Sequence, residues 1–451
     1  MVFFGTGVYW IFISVHTYGN ADIPFALIIT AALIGILALF PAFNGYLLNR
    51  YFPNINNTKI LCAFPAIWVF LEWVRTWIFT GFPWLLIGYS QLNSPLKGYA
   101  PIFSVYGVSL AVILSSALIV NAILKFKHPY KPIIILRIAA EWKDNGRFDF
   151  LALALIWIMG AGLSFVSWTH ASGEPVKVSL VQGNIAQNVK WSPEEVQPTL
   201  DRYVDLTKNH WDSKIIIWPE AAIPLTLQTA ADFINDIAQK ANENGATLIT
   251  GIPIKAQDQD AYYNGIITMG KGEGIYTKRL LVPFGEYIPL KNWIGPVFDL
   301  LNVPMSDFIS GPFTQPILAN GLKIAPFICY EIAYPEIVLS RDGNIDLLLT
   351  VSNDAWFGHS IAQAQHLQIG QMRALEMGRA LLFVSNDGIT AVVNALGKVQ
   401  SAAPQYQSYV LTDEVQTTQG KTPWQRFGMD PILIIIIILL IIAIRQRKES
   451  C

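Results

Sequence analysis

The sequence predicts a polytopic α-helical membrane domain joined to an α/β soluble domain. Its composition and the distribution of its apolar residues lead to this prediction. Hydrophobic residues make up 53% of the 451 residues and charged residues only 14%, against about 25% charged residues in an average soluble protein. A wholly soluble chain is therefore excluded. We expect a membrane domain over residues 1–170, a soluble domain over 171–428, and a final helix with a basic tail over 429–451.

Long apolar runs predict the membrane spans, because a helix needs roughly 20 mostly apolar residues to cross a bilayer. The first run is short, so we expect an incomplete first span and interpret the chain as N-terminally shortened. About five spans precede residue 170, and one more precedes the basic tail. The predicted spans are 5–16, 23–48, 60–80, 102–124, 150–168 and 431–444.

Basic residues predict the orientation of these spans, because cytoplasmic loops carry an excess of Lys and Arg. The loop after residue 124 and the tail after residue 444 are both basic, so both are expected in the cytoplasm. One span separates each of them from residues 171–428, which are therefore expected outside the cytoplasm. The net charge of −1 leaves no basic surface for nucleic acid. The basic residues are Lys125, Lys127, Lys131, Arg137, Lys143 and Arg147 in the loop, and Arg445, Arg447 and Lys448 in the tail.

The soluble domain alternates strand-like and helix-like segments, which favours an α/β layered architecture. The strand-like segments are short β-branched or aliphatic runs bounded by turn residues. Ser192 and Pro193 mark the start of the first helix. The predicted strands are 176–181, 214–218, 247–252, 266–269, 323–328, 347–351 and 381–384, and the predicted helices are 192–209, 231–244 and 362–379.

Of the three cysteines in the chain, Cys329 is the one that falls within the predicted soluble domain. It ends a strand-like run and precedes a turn into a helix. A thiol at such a junction lies near a helix N-terminus, which favours the thiolate. The alternative is a buried core cysteine, the commonest role of a lone thiol.

Two further charged residues end strand-like runs and strengthen the case for chemistry at Cys329. Glu220 follows an apolar strand and a proline, where burial is expected to raise its pKa. Lys278 precedes another apolar stretch and is followed eight residues later by Glu286. A carboxylate, an ammonium and a thiol together supply a base, an oxyanion stabiliser and a nucleophile for acyl transfer. The histidines of the domain show no Cys–His pattern and no metal-ligand spacing, so neither a metal nor another cofactor is expected.

These residues resemble the carbon–nitrogen hydrolase (nitrilase) superfamily, and within it the bacterial apolipoprotein N-acyltransferase family. The resemblance covers nearly the whole chain, and its motifs occur in the family's order. It implies a nitrilase-like α-β-β-α sandwich for the soluble domain. The motifs are QGNI at 182–185, KW at 190–191, WPE at 218–220, YN at 263–264, LVPFGEY at 281–287, ICYEI at 328–332 and SNDAWFG at 352–358, with TGFPWL at 80–85 and GYSQ at 88–91 in the membrane part.

The resemblance also implies roles for individual residues. Glu220 is then the general base, Lys278 the oxyanion stabiliser and Cys329 the nucleophile. The same comparison gives supporting roles to Glu286, Glu331 and Tyr330, and substrate-binding roles to Trp191, Asn264, Phe284 and Trp356.

The activity implied by the resemblance is a two-step acyl transfer in the bacterial cytoplasmic (inner) membrane. An acyl chain from a phospholipid, with phosphatidylethanolamine expected, forms a thioester on the cysteine. The α-amino group of a diacylglyceryl-cysteine on an apolipoprotein then takes the chain. The catalytic domain is expected on the periplasmic side. The apolar stretch from Phe284 to Phe308 is interpreted as a lipid-facing arm, with a packing segment as the alternative.

Two other functions remain open at this point. A membrane-tethered amidase or nitrilase would use the same three residues to hydrolyse a small amide, although it has no use for several spans. A transporter or receptor would bind its ligand without catalysis, and it predicts that Cys329→Ala leaves function intact. Intramembrane charges are few (Glu72 and Arg75), which weighs against a transporter.

Overall fold

The computed structural model describes residues 1–127, 146–257, 260–283, 285–287, 308–312, 316–339 and 345–449. Phe284 and residues 288–307 of the predicted arm lie outside these residues, as does most of the basic loop after residue 127. The chain groups into two compact units. Met1–Ile34 and Thr169–Lys421 form what we call the α/β unit, and Gly35–Trp168 and Thr422–Cys451 form the helical unit.

Two β-sheets form the centre of the α/β unit. Its strands are β1 His170–Ala171, β2 Val176–Gln182, β3 Ile215–Ile217, β4 Thr247–Lys255, β5 Tyr262–Gly270, β6 Gly272–Glu273, β7 Ile275–Thr277, β8 Ile317–Ala319, β9 Leu322–Ile328, β10 Leu347–Ser352, β11 Ala380–Ser385, β12 Ala391–Val393, β13 Val399–Ala402, β14 Tyr409–Val415 and β15 Thr418–Gln419. One sheet has the strand order β14-β2-β3-β4-β5-β7 and the other β13-β12-β11-β10-β9-β8-β6, while β1 pairs with β15. Strands β2, β3 and β4 are parallel, as are β9, β10 and β11.

Helices flank these sheets and make up most of the helical unit. In chain order they are α1 Val2–Gly7, α2 Trp10–Ile13, α3 Ile23–Tyr51, α4 Phe64–Arg75, α5 Ala100–Lys127, α6 Arg147–Leu163, α7 Pro193–Thr207, α8 Ala231–Glu243, α9 Pro335–Val338, α10 Ala362–Met377, α11 Pro423–Phe427 and α12 Asp430–Glu449.

Side-chain alternation along the strands separates the core into layers. Ile215 and Ile217 of β3 belong to a cluster shared with Ile328 and Leu349 of the second sheet. Ile216, between them, instead packs in a cluster with residues of α7 and α8. Since neighbouring residues of a strand point to opposite faces, each sheet has one face toward the other sheet and one toward helices. The sandwich of helix, sheet, sheet and helix implied by the resemblance is therefore confirmed.

All seven predicted strands and all three predicted helices of the soluble domain are present. Helix α10 ends where Gly378 adopts a left-handed conformation with φ of 56°. Glycine takes this conformation without steric penalty and commonly ends helices, and here it turns the chain directly into β11.

The first residues of the chain pack within the α/β unit. Trp10 donates its indole N–H to the Gln365 side chain at 3.1 Å, and its ring lies edge-on to Phe357 with centroids 4.7 Å apart. Ser14 donates its hydroxyl to the Trp356 carbonyl at 2.8 Å. The segment predicted as an incomplete span thus has specific partners among residues 356–365.

The helical unit contains helices of very different length. Within the described part of the chain, two segments are long and apolar enough to cross a membrane, Ile23–Tyr51 and Pro95–Lys125. The other predicted spans correspond to shorter helices or to a helix with a charged end, among them α4 with 12 residues and α6 with 17.

Glu72 and Arg75 of α4 hold the loop that follows them. Arg75 donates to the Trp84 carbonyl at 2.6 Å, and Glu72 accepts the Ile87 N–H at 3.0 Å. Both side chains are buried. Their main-chain partners indicate a structural role, which agrees with the sequence argument against a transporter.

Candidate active site

The three residues proposed for chemistry each follow the carboxyl end of a strand. Lys278 comes directly after β7 and Cys329 directly after β9, while Glu220 lies three residues after the end of β3. Strand β7 runs in the same direction as β3 and β4, because β5 between them is antiparallel to both β4 and β7. Glu220 and Lys278 therefore come from the same edge of one sheet, and Cys329 comes from the other sheet.

The Glu220 loop lies directly on β4. Trp218 donates its N–H to the Ile249 carbonyl at 2.8 Å, and Gly251 donates to the Pro219 carbonyl at 3.2 Å. A Cβ atom at Gly251 would lie 2.7 Å from Glu220 Cα, so only glycine allows this close approach. Strand β4 thereby holds in place the loop that carries the Glu220 carboxylate.

Lys278 is nearly inaccessible and lies between two carboxylates. Its Nζ is 2.8 Å from Glu286 Oε2 and 3.9 Å from Glu220 Oε1, with 1% of the side chain exposed. Burial by itself lowers the pKa of the Lys278 ammonium. The negative charges of Glu286 and Glu220 outweigh that effect and raise its pKa above the ordinary lysine value. Lys278 is therefore a permanent positive charge in this site.

Asn264 organises the two carboxylates around Lys278. Its side-chain amide donates to Glu220 Oε1 at 2.7 Å and to Glu286 Oε1 at 3.1 Å. Its main-chain carbonyl accepts the main-chain N–H of Lys278 at 2.8 Å. The resemblance implies that Asn264 binds substrate, and this stays a prediction. The contacts of its amide with Glu220 and Glu286 were not anticipated from the sequence.

Glu331 connects the segments that carry Lys278 and Cys329. Its Oε1 accepts the N–H of Arg279, the residue after Lys278, at 2.7 Å. Its Oε2 accepts the N–H of Ile328, the residue before Cys329, at 2.9 Å. The Tyr276 hydroxyl donates to Oε2 as well, at 2.7 Å. One fully buried carboxylate thus fixes the distance between the two sheets at the site.

Cys329 has an unusual backbone conformation and a thiol of raised pKa. Its φ is 52°, in the left-handed region that side chains other than glycine rarely adopt. The side chain is partly exposed. Burial of the sulfur and the charge of Glu220 raise the pKa of the Cys329 thiol, and Lys278 only partly offsets them. This direction is opposite to the thiolate that the sequence predicts, because burial and the nearby carboxylate disfavour the anion.

Glu220 has the properties of a base for this thiol. Burial raises the pKa of its carboxyl, and Lys278 opposes the shift, so the sequence-based expectation of a raised pKa is confirmed. Glu220 and Cys329 are close enough that the carboxylate raises the pKa of the thiol. A thiol and a carboxylate of raised pKa form a pair between which one proton can pass on reaction.

Two buried basic residues near the site were missed by sequence reasoning. Lys190 donates to the Glu220 carbonyl at 2.9 Å, and the His366 ring contacts the Cys329 carbonyl at 3.1 Å. Lys190 lies in a motif of the resemblance, and this was its only signal. His366 lies 37 residues from Cys329 on another element, so no local pattern pointed to it.

The remaining predicted residues lie in varied surroundings. Tyr330 is buried and packs edge-on against Tyr334 with ring centroids 5.2 Å apart. Trp191 and Trp356 are 50% and 40% exposed, and Trp356 packs against Tyr18. Their predicted contact with substrate remains a prediction. Within the part of the chain that the structure describes, no group of three or more His, Cys, Asp or Glu side chains is placed to hold a metal ion.

Two family models match separate parts of the chain. Residues 1–118 match the model described as apolipoprotein N-acyltransferase N-terminal domain. Residues 177–422 match the carbon-nitrogen hydrolase model.

Curated relatives are similar over nearly the whole chain. A protein of Coxiella burnetii named apolipoprotein N-acyltransferase is 42% identical over 436 residues, covering 96% of this chain and 87% of the relative. A protein of the same name from Pseudomonas aeruginosa strain PAO1 is 40% identical over 438 residues, covering 95% and 82%. A solved Saccharomyces cerevisiae member of branch 10 of the nitrilase superfamily is 18% identical with a TM-score of 0.42, covering 55% of this chain and 93% of that one.

Proposed function

Because this chain belongs to the apolipoprotein N-acyltransferase family, we propose that it moves a fatty acyl chain from a phospholipid to an apolipoprotein through a thioester on Cys329. The acceptor is the α-amino group of the N-terminal diacylglyceryl-cysteine. The observation that carries the assignment of Cys329, Lys278 and Glu220 is the 3.9 Å approach of Lys278 Nζ to Glu220 Oε1, beside a thiol whose pKa both groups shift.

In the first step, Glu220 takes the proton of the Cys329 thiol as the sulfur attacks the ester carbonyl of the phospholipid. The ammonium of Lys278 stabilises the negative charge that develops on the carbonyl oxygen. Glu220 then returns the proton to the departing lysophospholipid oxygen, and the acyl chain remains as a thioester. Because the pKa of the Cys329 thiol is raised, attack depends on the base.

In the second step, the amine of the apolipoprotein attacks the thioester, and Glu220 accepts its proton. The Cys329 sulfur leaves and is reprotonated, and the product is an amide. A thioester retains its reactivity toward amines, so one cysteine serves both halves. Phosphatidylethanolamine is the donor that the family resemblance implies.

We place the enzyme in the bacterial cytoplasmic membrane as a multi-pass protein with residues 171–428 on the periplasmic side. The two long apolar helices Ile23–Tyr51 and Pro95–Lys125 and the basic segments after residues 124 and 444 support this placement. Residues 1–170 and 429–451 form the membrane domain in this proposal. An amidase that releases a free acid remains the alternative, and it is not favoured by the relatives' names.

The test uses the purified full chain in detergent. Incubation with phosphatidylethanolamine of one known acyl chain should add the mass of that chain to the intact protein. Cys329→Ala should abolish the adduct, whereas the matched change Cys62→Ala should leave it unchanged. Addition of a diacylated lipopeptide should then transfer the chain as an amide. An adduct on Cys329→Ala, or release of free fatty acid in place of the amide, would overturn the proposal.

A further inference from the structure

Behind Cys329 lies a buried pair of titratable residues that the proposed chemistry does not use. Asp354 follows β10, and His366 lies in α10. Both side chains are fully buried. The Nδ1 atom of His366 is 3.0 Å from Asp354 Oδ1, and its Nε2 atom is 3.1 Å from the carbonyl oxygen of Cys329. The pair thus reaches the main chain of the proposed nucleophile.

The contacts of His366 determine which ring nitrogen donates to Cys329. The Cys329 carbonyl is only an acceptor, so the hydrogen bond to it is donated by the Nε2–H of the ring. On the opposite side of the ring, Asp354 Oδ1 lies 3.0 Å from Nδ1 and also accepts the Ser352 hydroxyl at 2.6 Å. Asp354 therefore fixes the orientation in which the ring reaches Cys329.

The carbonyl that His366 contacts belongs to a strained residue. A left-handed conformation at a residue other than glycine is strained and persists only where the surroundings hold it. Glu331 holds the preceding N–H of Ile328, and His366 holds the following carbonyl. Because the peptide group is planar, fixing this carbonyl also fixes the direction of the Tyr330 N–H.

Neighbouring aromatic rings keep the imidazole in one orientation. Phe383 lies edge-on at 5.1 Å and Phe357 at 6.4 Å between ring centroids. In such apolar surroundings a hydrogen bond is stronger than in water. The ring is therefore held both by its partners and by packing.

We propose that His366 and Asp354 are positioning residues for Cys329. His366 anchors the carbonyl of the nucleophile through its Nε2–H, and Asp354 holds the ring in that orientation through its contact with Nδ1. The sulfur is thereby held in the orientation from which it attacks. The inference rests on the proposed function only for the identity of the reaction, since the anchoring itself is a property of Cys329.

The test compares His366→Ala, His366→Gln and Asp354→Asn with the control His210→Gln, all in the full chain in detergent. Thioester formation is measured in a single turnover over a range of phospholipid concentrations. The rate at which iodoacetamide alkylates Cys329 is measured separately on the Cys329 peptide by mass spectrometry. Melting temperatures report folding.

We expect His366→Ala to slow acylation about tenfold or more, because small displacements of a reacting group have effects of this size. The phospholipid concentration at half-maximal rate should stay within about twofold, since substrate contacts are unchanged. His366→Gln should restore most of the rate, because its amide nitrogen can occupy the position of Nε2. Asp354→Asn should be slow, because an amide in place of the carboxylate weakens the contact that holds Nδ1 and orients the ring.

Three outcomes would overturn the proposal. The first is that His366→Ala is acylated at the wild-type rate. The second is that His366→Gln is acylated as slowly as His366→Ala when both variants are correctly folded. If the wild type itself forms no thioester, the proposed function fails, and alkylation decides the positioning role alone. Equal alkylation rates of Cys329 in wild type and His366→Ala would then reject it.

Discussion

Lys278 Nζ lies 2.8 Å from Glu286 Oε2, so the closest partner of this buried lysine is a residue outside the proposed triad. Glu220 Oε1, at 3.9 Å, is beyond hydrogen-bond distance from the same nitrogen. Glu286 thus forms the close ion pair with Lys278, and Glu220 remains available for the thiol proton. The different roles of the two carboxylates depend on this difference in distance.

Replacing Glu286 tests whether the two carboxylates have these different roles. In Glu286→Gln, Lys278 loses the charge that most raises its pKa, and its Nζ is free to move toward Glu220. We expect thioester formation to slow about tenfold to a hundredfold, less than the loss in Lys278→Met, because the oxyanion donor is displaced but still present. Single-turnover acylation measures the effect. The exposed change Glu273→Gln is the matched control, and a wild-type rate for Glu286→Gln would contradict the assignment.

The pH dependence of acylation follows from the environment of Glu220. The base must be deprotonated to accept the thiol proton, and burial raises its pKa. As pH falls, the rate should therefore decline at a pH above that of an ordinary glutamate. The kcat/KM profile for thioester formation shows this acid limb. A rate that stays constant down to the ordinary glutamate range would show that Glu220 is not the base.

Glu220 and Cys329 could be predicted from the sequence because each follows an apolar run that indicates a strand. Lys278 follows β7, which was not among the predicted strands, so its role depended more on the family resemblance. The charge state of Cys329 could not be predicted in the same way. It depends on the distance to Glu220 and on burial, which follow from the packing of the two sheets.

Some elements of the fold were also beyond sequence patterns. The seven predicted strands are mainly apolar runs of four to six residues, whereas β7 and β13 have three and four residues and include polar ones. Such short segments show no clear alternation. The contacts of His366 and Lys190 were missed for a related reason, because each residue meets its partner from a distant position in the chain.

Glu331 should matter for folding as well as for catalysis. In Glu331→Gln, an amide group replaces one oxygen and faces N–H groups of the main chain, so buried donors lose their acceptor. We expect a loss of about 3 kcal/mol in the free energy of unfolding. The melting temperature of the full chain in detergent, followed by tryptophan fluorescence, measures the effect. The exposed change Glu243→Gln should leave the melting temperature unchanged, and an equal result for Glu331→Gln would contradict the bridging role.

Lys190 provides the sharpest test of the electrostatics, because its own charge depends on pH. Burial lowers the pKa of Lys190 to about 8, against the opposing effect of Glu220. Below that pH the ammonium is present and lowers the pKa of Glu220. In Lys190→Met the pKa of Glu220 should therefore rise further, and the acid limb of the acylation profile should move to higher pH.

Above pH 8 the wild-type lysine loses its proton, so its charge no longer distinguishes it from methionine. The difference between wild type and Lys190→Met should therefore be largest in acid and should shrink as pH rises through about 8. Lys208→Met removes an exposed lysine and should not shift the profile. If Lys190→Met instead lowers the rate by the same factor at every pH, Lys190 acts through its hydrogen bond to the Glu220 carbonyl and not through its charge.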